Sequence, residues 1–143
     1  MNLVVDSSVI IKWFVKQDEQ DRAQALWLKN QFLKGQLSLV VPDLVFYEIS
    51  NVLKTKKEFR RELVRKAIRL LFLYPFQTIW PSSALFLTAS KIAYSHELTI
   101  YDAVYLALAQ ELGCPFLTAD QKLQVKRKNL LVYSLKDFKI ESI

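Results

Sequence analysis

Residues 2–8, NLVVDSS, decide how the rest of the chain is read. Leu3, Val4 and Val5 form a short apolar run, two of them β-branched, which suits a strand. Asp6, Ser7 and Ser8 follow at once, and such short oxygen-bearing side chains favour the start of a helix because they can accept its unbonded first amides. The spacing therefore predicts a strand that runs straight into a helix.

The same alternation continues along the chain. Ala25, Leu28 and Phe32, with Leu26 and Leu33 beside them, give a helical spacing over residues 21–33 that stops at Gly35. Leu37 to Val41 reads as a second strand ended by Pro42, and Asp43 is then placed to cap an amphipathic helix carrying Leu44, Val45, Ile49, Val52 and Leu53. A further helix extends to about Leu73. Phe76 to Trp80 reads as a strand between two prolines, and Ser82 or Ser83 opens the next helix. Tyr101 to Leu112 is helical and closes at Gly113. Phe116 to Thr118 and Leu130 to Tyr133 read as two last strands, with a brief helix near Asp120 to Val125 between them. Strands alternating with helices predict an α/β fold with a mainly parallel central sheet flanked by helices. No linker or repeat divides residues 1–143, which predicts a single domain.

Composition removes several classes of function. The chain has 143 residues, 52% hydrophobic and 24% charged, enough for one sizeable core and too apolar for disorder. Cys114 is the only cysteine and His96 the only histidine, so neither a disulfide framework nor a Cys/His zinc site can be assembled, and a reducing cytoplasmic setting is expected. No signal peptide pattern is visible, and no apolar run approaches the roughly 18 residues of a membrane span. A Ser-His-Asp site would depend on His96, which falls near a helix end and reads as a surface residue. Trp13, Trp27 and Trp80 could stack on bases, but each lies in an apolar periodic segment and reads as a core or subunit packing residue. Cys114 reads as a small apolar one.

A net charge of +6 favours a polyanionic partner. The excess is concentrated between Lys54 and Arg69, where eight basic residues stand against Glu58 and Glu62. Lys54, Lys56, Lys57, Arg60 and Arg61 are the candidates for contact with a nucleic acid backbone. A solvated helix face is the alternative reading of the same run.

Four acidic residues carry the candidate chemistry. Asp6 and Asp120 each follow a strand and should emerge at the carboxyl edge of the sheet, where open α/β sheets bind ligands. Either could instead cap the helix after it. Glu48 falls beside Leu44, Val45 and Val52 on the apolar side of its helix, and an unpaired charge there is costly, so it needs a cation, a metal or water. Asp102 shares a stripe with Leu106 and Ala109, although Thr99 three positions earlier has the spacing of a capping box. If all four point inward, something positive belongs among them. Carboxylate oxygens suit magnesium and manganese, and paired ions of this kind can activate water and stabilise the leaving oxygen in phosphodiester hydrolysis.

The segments VVDSSVIIKWF, PDLVFYEISNVL, YDAVYLALAQ and FLTAD, in this order, closely resemble the acidic motifs of PIN domains, especially the VapC toxins of prokaryotic toxin-antitoxin pairs. The resemblance implies a metal-binding quartet of Asp6, Glu48, Asp102 and Asp120, with Ser8 and Thr118 as supporting hydroxyls. It further implies endoribonuclease activity with magnesium or manganese, an RNA substrate, a small antitoxin partner and a homodimer. Residues 54–74 are where relatives vary, so substrate specificity does not carry over. The alternative is a catalytically silent PIN-like module that binds RNA or protein, against which the intact quartet argues. A DxDx phosphatase would need an acid at Ser8, and a receiver domain a second acid near the first strand's end; neither is present.

Overall fold

A computed structural model describes residues 1–16, 21–124 and 131–139, and its strands and helices alternate as the apolar spacing predicts. β1 (Asn2–Val5) leads into α1 (Ser7–Ile10), which tightens into a 3₁₀ turn at Ile11–Trp13. Then come α2 (Arg22–Leu33), β2 (Ser38–Pro42), α3 (Leu44–Thr55), α4 (Arg61–Leu73), β3 (Gln77–Ile79), α5 (Ser83–His96) and α6 (Ile100–Leu112). β4 (Phe116–Thr118) and β5 (Val132–Ser134) complete the sheet, with 3₁₀ turns at Gln121–Leu123 and Leu135–Asp137.

The strands lie in the order β3-β2-β1-β4-β5, and every pairing is parallel. β1 is central: Val4 is in register with Val40 on one side and with Phe116 on the other. The carboxyl ends of β2, β1 and β4 therefore stand side by side, and the residues just beyond them face one edge. Successive side chains on a strand point to opposite faces, which divides the core into two layers. Leu3, Val5, Leu39, Val41 and Leu117 pack with Val9, Leu28, Val45, Ile49 and Leu71 from α1 to α4. Val4, Val40 and Phe116 pack against α5 and α6. Both faces are covered, as a parallel sheet requires. Each large apolar side chain taken fully out of water contributes roughly 1.5–3 kcal/mol before conformational entropy is charged against it.

α6 is buried without a break from Ala103 to Ala109, because it lies between the sheet and α5. Its small Ala103, Ala107 and Ala109 allow both neighbours a close approach. Gly113 ends it at φ 58°, a left-handed conformation that glycine adopts without a Cβ clash.

Two local expectations change, and the tryptophans divide. Asp43 holds the N-cap position of α3, but its φ of −57° and ψ of −25° are helical and its side chain makes no capping bond. The turn is tied instead by the Asp43 amide, which donates to the Ile79 carbonyl at the end of β3. The brief helix after Asp120 is a single 3₁₀ turn; Val125 and Leu130, which the sequence reading included in a helix and a strand, lie outside the described residues. Trp13 is buried against Phe32, Tyr74 and Phe76, and Trp27 is half-buried against Phe138, but Trp80 is 72% exposed. No helix among the described residues is long and apolar enough to cross a membrane.

Candidate active site

Asp6 leaves the end of β1 with its carboxylate only 4% exposed. Its backbone is extended, at φ −95° and ψ 174°, and its side chain caps nothing in α1. It is committed elsewhere. Ser8 Oγ donates to Oδ1 at 2.5 Å and Thr118 Oγ1 donates to Oδ2 at 2.5 Å. Each hydroxyl has one hydrogen, and both are spent on Asp6, so the 3.4 Å approach of Ser8 Oγ to Thr118 Oγ1 is a contact and not a third bond. The hydroxyl oxygens are in turn fixed by backbone amides: Ala119 N–H donates to Ser8 Oγ at 2.9 Å, and Asp120 N–H to Thr118 Oγ1 at 2.9 Å. The two hydroxyls that the resemblance singled out thus orient the first acid and lock β1 to the turn after β4.

Burial is the largest influence on Asp6 and pushes its carboxyl up from 3.8 to about 7; the Ser8 and Thr118 hydrogen bonds oppose this without cancelling it, and the charge of Glu48 adds to it. Glu48 is also raised, first by burial and then by the neighbouring charge of Asp102, with Tyr105 and Ser7 hydroxyls pulling the other way. Asp6 therefore feels Glu48, and Glu48 in turn feels Asp102.

Glu48 finds a partner that the sequence reading missed. Tyr105 Oη donates to its Oε2 at 2.5 Å. Tyr105 comes from the buried stripe of α6, and its own ionisation is pushed well up by burial and by the Glu48 charge, which keeps the phenol a donor. A signal was present: Tyr105 is three residues after Asp102, on the same side of a helix otherwise built of alanine, leucine and valine, and a buried phenol needs a partner. Glu48 and Asp102 line one cleft of about 470 Å3 with Tyr47, Asn51, Thr99 and Tyr101.

Asp102 forms half of the capping box. Its amide donates to Thr99 Oγ1 at 3.1 Å, while among the described residues its carboxylate makes no bond back to Thr99. Asp120 does cap: its Oδ1 accepts the Lys122 amide at 2.9 Å, and the backbone link through Thr118 is what ties it to Asp6. Among the described residues no lysine or arginine forms an ion pair with any of the four acids. As the side chains stand, no three acidic, histidine or cysteine groups among the described residues are close enough to hold a single ion.

The basic candidates sit apart from this cluster. Phe46 near the start of α3 stacks on Phe72 near the end of α4, with ring centroids 4.5 Å apart. The two helices are thus an antiparallel hairpin, with residues 56–60 at its tip. Lys54, Lys57, Arg60 and Arg61 are exposed there and Lys56 is half-buried. Lys54 is six residues beyond Glu48, roughly 9 Å along the axis at 1.5 Å per residue. His96 is exposed at the end of α5, and burial raises the Cys114 thiol, which keeps it unreactive.

The PIN-domain family model matches residues 3–129. A curated relative, ribonuclease VapC3 of Pyrobaculum aerophilum, is 32% identical over 132 residues, covering 88% of this chain and 95% of its own. Among solved structures, VapBC-1 of nontypeable Haemophilus influenzae superposes with a TM-score of 0.67 at 17% identity, over 96% of this chain and 100% of that one. FitAcB of Neisseria gonorrhoeae does so with a TM-score of 0.70 at 13% identity, over 95% and 99%. With its parallel sheet and this match over most of its length, the chain belongs to the PIN-domain family, as a relative of the VapC ribonucleases.

Proposed function

We propose that this chain is a magnesium- or manganese-dependent endoribonuclease and the toxin of a VapBC-type toxin-antitoxin pair. The observation that carries the reading is the buried Asp6 carboxylate just beyond the carboxyl end of β1, held by Ser8 and Thr118 and near enough to Glu48 to feel its charge, with no cation among the described residues paired to either acid. Kinship with a ribonuclease supports RNA as the substrate, and the likeness to toxin-antitoxin complexes supports an antitoxin partner. We include the homodimer in the same proposal.

The donor set fits a hard divalent cation, since every candidate ligand is a carboxylate oxygen and burial, reinforced by neighbouring negative charge, pushes the Asp6 and Glu48 carboxyls up, a cost that a bound cation would relieve. Bound there, such a cation would activate water and neutralise charge on the scissile phosphate. The protein's part is positioning. Ser8 and Thr118 fix the plane of the Asp6 carboxylate, Tyr105 fixes one oxygen of Glu48, and Asp120 is held beside them by Thr118 and the Lys122 amide. The Asp102 carboxylate makes no hydrogen bond among the described residues, which leaves its oxygens available to a cation. Lys54, Lys56, Lys57, Arg60 and Arg61 serve as contacts for the RNA backbone.

Cleavage of single-stranded RNA is expected to require added magnesium or manganese, to stop with chelator and not to need zinc. Asp102→Asn is expected to abolish cleavage with the fold intact by circular dichroism. Full activity in chelator would overturn the mechanism. Wild-type cleavage by Asp102→Asn would leave that residue only its place in the first turn of α6.

A further inference from the structure

The chain carries Tyr-Glu at residues 47–48 on α3 and Tyr-Asp at residues 101–102 on α6. Consecutive residues on a helix are turned by about 100°, so an acid that faces inward brings the tyrosine before it out to the surface. Both rings are in that position: Tyr47 is 71% exposed and Tyr101 63% exposed. They line the same 470 Å3 cleft as Glu48 and Asp102. Among the described residues neither tyrosine makes a ring contact or a hydrogen bond, so their aromatic faces and hydroxyls are not spent on the fold. Asn51, exposed and one turn beyond Tyr47, lines the cleft as well, and its amide offers both a donor and an acceptor.

Two exposed aromatic rings beside acids that act on a phosphodiester have a ready chemical counterpart in an unpaired nucleobase. Proteins bind single-stranded RNA by stacking splayed bases on aromatic side chains and by hydrogen bonding their edges. Bases inside a duplex have both faces covered already. We propose that Tyr47 and Tyr101 form the base-binding platform of this cleft, stacking on the unpaired nucleobase next to the scissile phosphate while Asn51 hydrogen-bonds its edge. This rests on the ribonuclease reading above and adds to it a selection for single-stranded RNA by ring contact, independent of the basic hairpin tip.

The test uses the full chain in manganese, with short single-stranded RNAs carrying 2-aminopurine at successive positions. On rapid mixing, fluorescence is expected to be quenched at one position before cleavage begins. Tyr47→Ala and Tyr101→Ala should each lose that quench and raise KM roughly 5- to 150-fold, the cost of one base–aromatic stack, with much smaller changes in kcat. Tyr47→Phe and Tyr101→Phe should restore both, because the ring stacks and the hydroxyl does not. Alanine variants that quench and cleave like the wild type would overturn the platform and leave the nuclease standing. So would variants that lose self-association in sedimentation while quenching is unchanged, since the rings would then belong to a contact between copies. A wild type that cleaves no RNA in either metal would overturn the ribonuclease reading itself, and the platform with it.

Discussion

Replacing Asp6 by asparagine should stabilise the protein while destroying its activity, and the structure sets the size of the effect. The carboxyl is pushed up from 3.8 to about 7, chiefly by burial. Between those two values the folded protein binds more protons at this group than the unfolded chain does, so its contribution to stability falls as pH rises through that window and is level above about 7. At about 1.4 kcal/mol for each factor of ten in ionisation, the penalty at pH 8 is on the order of 4 kcal/mol. Asparagine escapes it. Its amide, however, places a donor against Ser8 or Thr118 Oγ, both already donating inward and accepting a backbone amide, which costs about 1–2 kcal/mol for one spoiled bond. A net gain of about 2 kcal/mol remains, or roughly 5–10 °C in Tm for a domain of this size. Thermal melting of wild type and Asp6→Asn in chelator, at steps from pH 4.5 to pH 8.5, should show curves that lie close together at the acid end, diverge toward neutrality and stay parallel above it. Manganese should then raise the wild-type Tm and leave the variant almost unmoved. A variant that melts below the wild type throughout, or a gap that ignores pH, would refute the reasoning.

Charge reversal of Arg60 and Arg61 to glutamate should weaken RNA binding regardless of sequence and flatten its salt dependence, by about 0.7 in the log–log slope for each phosphate that is no longer neutralised; filter binding across a salt series that returns the wild-type slope would reassign the hairpin tip to solvent. Tyr105→Phe removes the donor to Glu48 and should cost roughly 1.5–3 kcal/mol shared between folding and catalysis, read as a lower Tm in chelator together with a weaker manganese requirement curve; an unchanged curve would make Tyr105 a packing residue only. An antitoxin's arginine should compete with metal for these acids, because a guanidinium satisfies two carboxylate oxygens at once. Calorimetry of a tail peptide with wild type and with the Asp6→Asn, Asp102→Asn pair, with and without manganese, should show weaker binding in the variant and in the metal; equal affinity in all four conditions would move the inhibitor elsewhere.

What could be read from the sequence follows how local its cause is. β1 and β4 fall where the apolar runs place them, Asn2–Val5 and Phe116–Thr118, because each is built on a short apolar run that the sheet buries. The start of α6 moves back only to Ile100, since Thr99 supplies the cap. Asp43 misleads, because the bond that fixes the start of α3 comes from β3, 36 residues away in sequence. Trp80 stands just beyond the edge strand β3 and is exposed, which takes it out of the core and leaves the subunit-packing part of its reading open. Glu48 was legible as a charge in need of company, and Asp6, Ser8 and Thr118 as a set through family resemblance. That Tyr105 answers Glu48 was not, as the contact joins α3 to α6 across 57 positions. The influence of Glu48 on Asp6 likewise exists only once the sheet has brought β1 between β2 and β4.

That central place of β1 also bears on when the protein becomes active during its own synthesis. Thr118, which holds Asp6, is made 112 positions after it. At roughly 5–20 residues per second of translation, β1 waits on the order of ten seconds for the strand that completes its site. The helical hairpin of α3 and α4 can form while still attached to the ribosome, since its contacts are local and close quickly, whereas the insertion of β4 beside β1 is the most distant strand pairing in the sheet. A nascent chain therefore carries Asp6 and Glu48 past the exit tunnel without a working centre around them. Such a topology defers a working centre until β4 has been made.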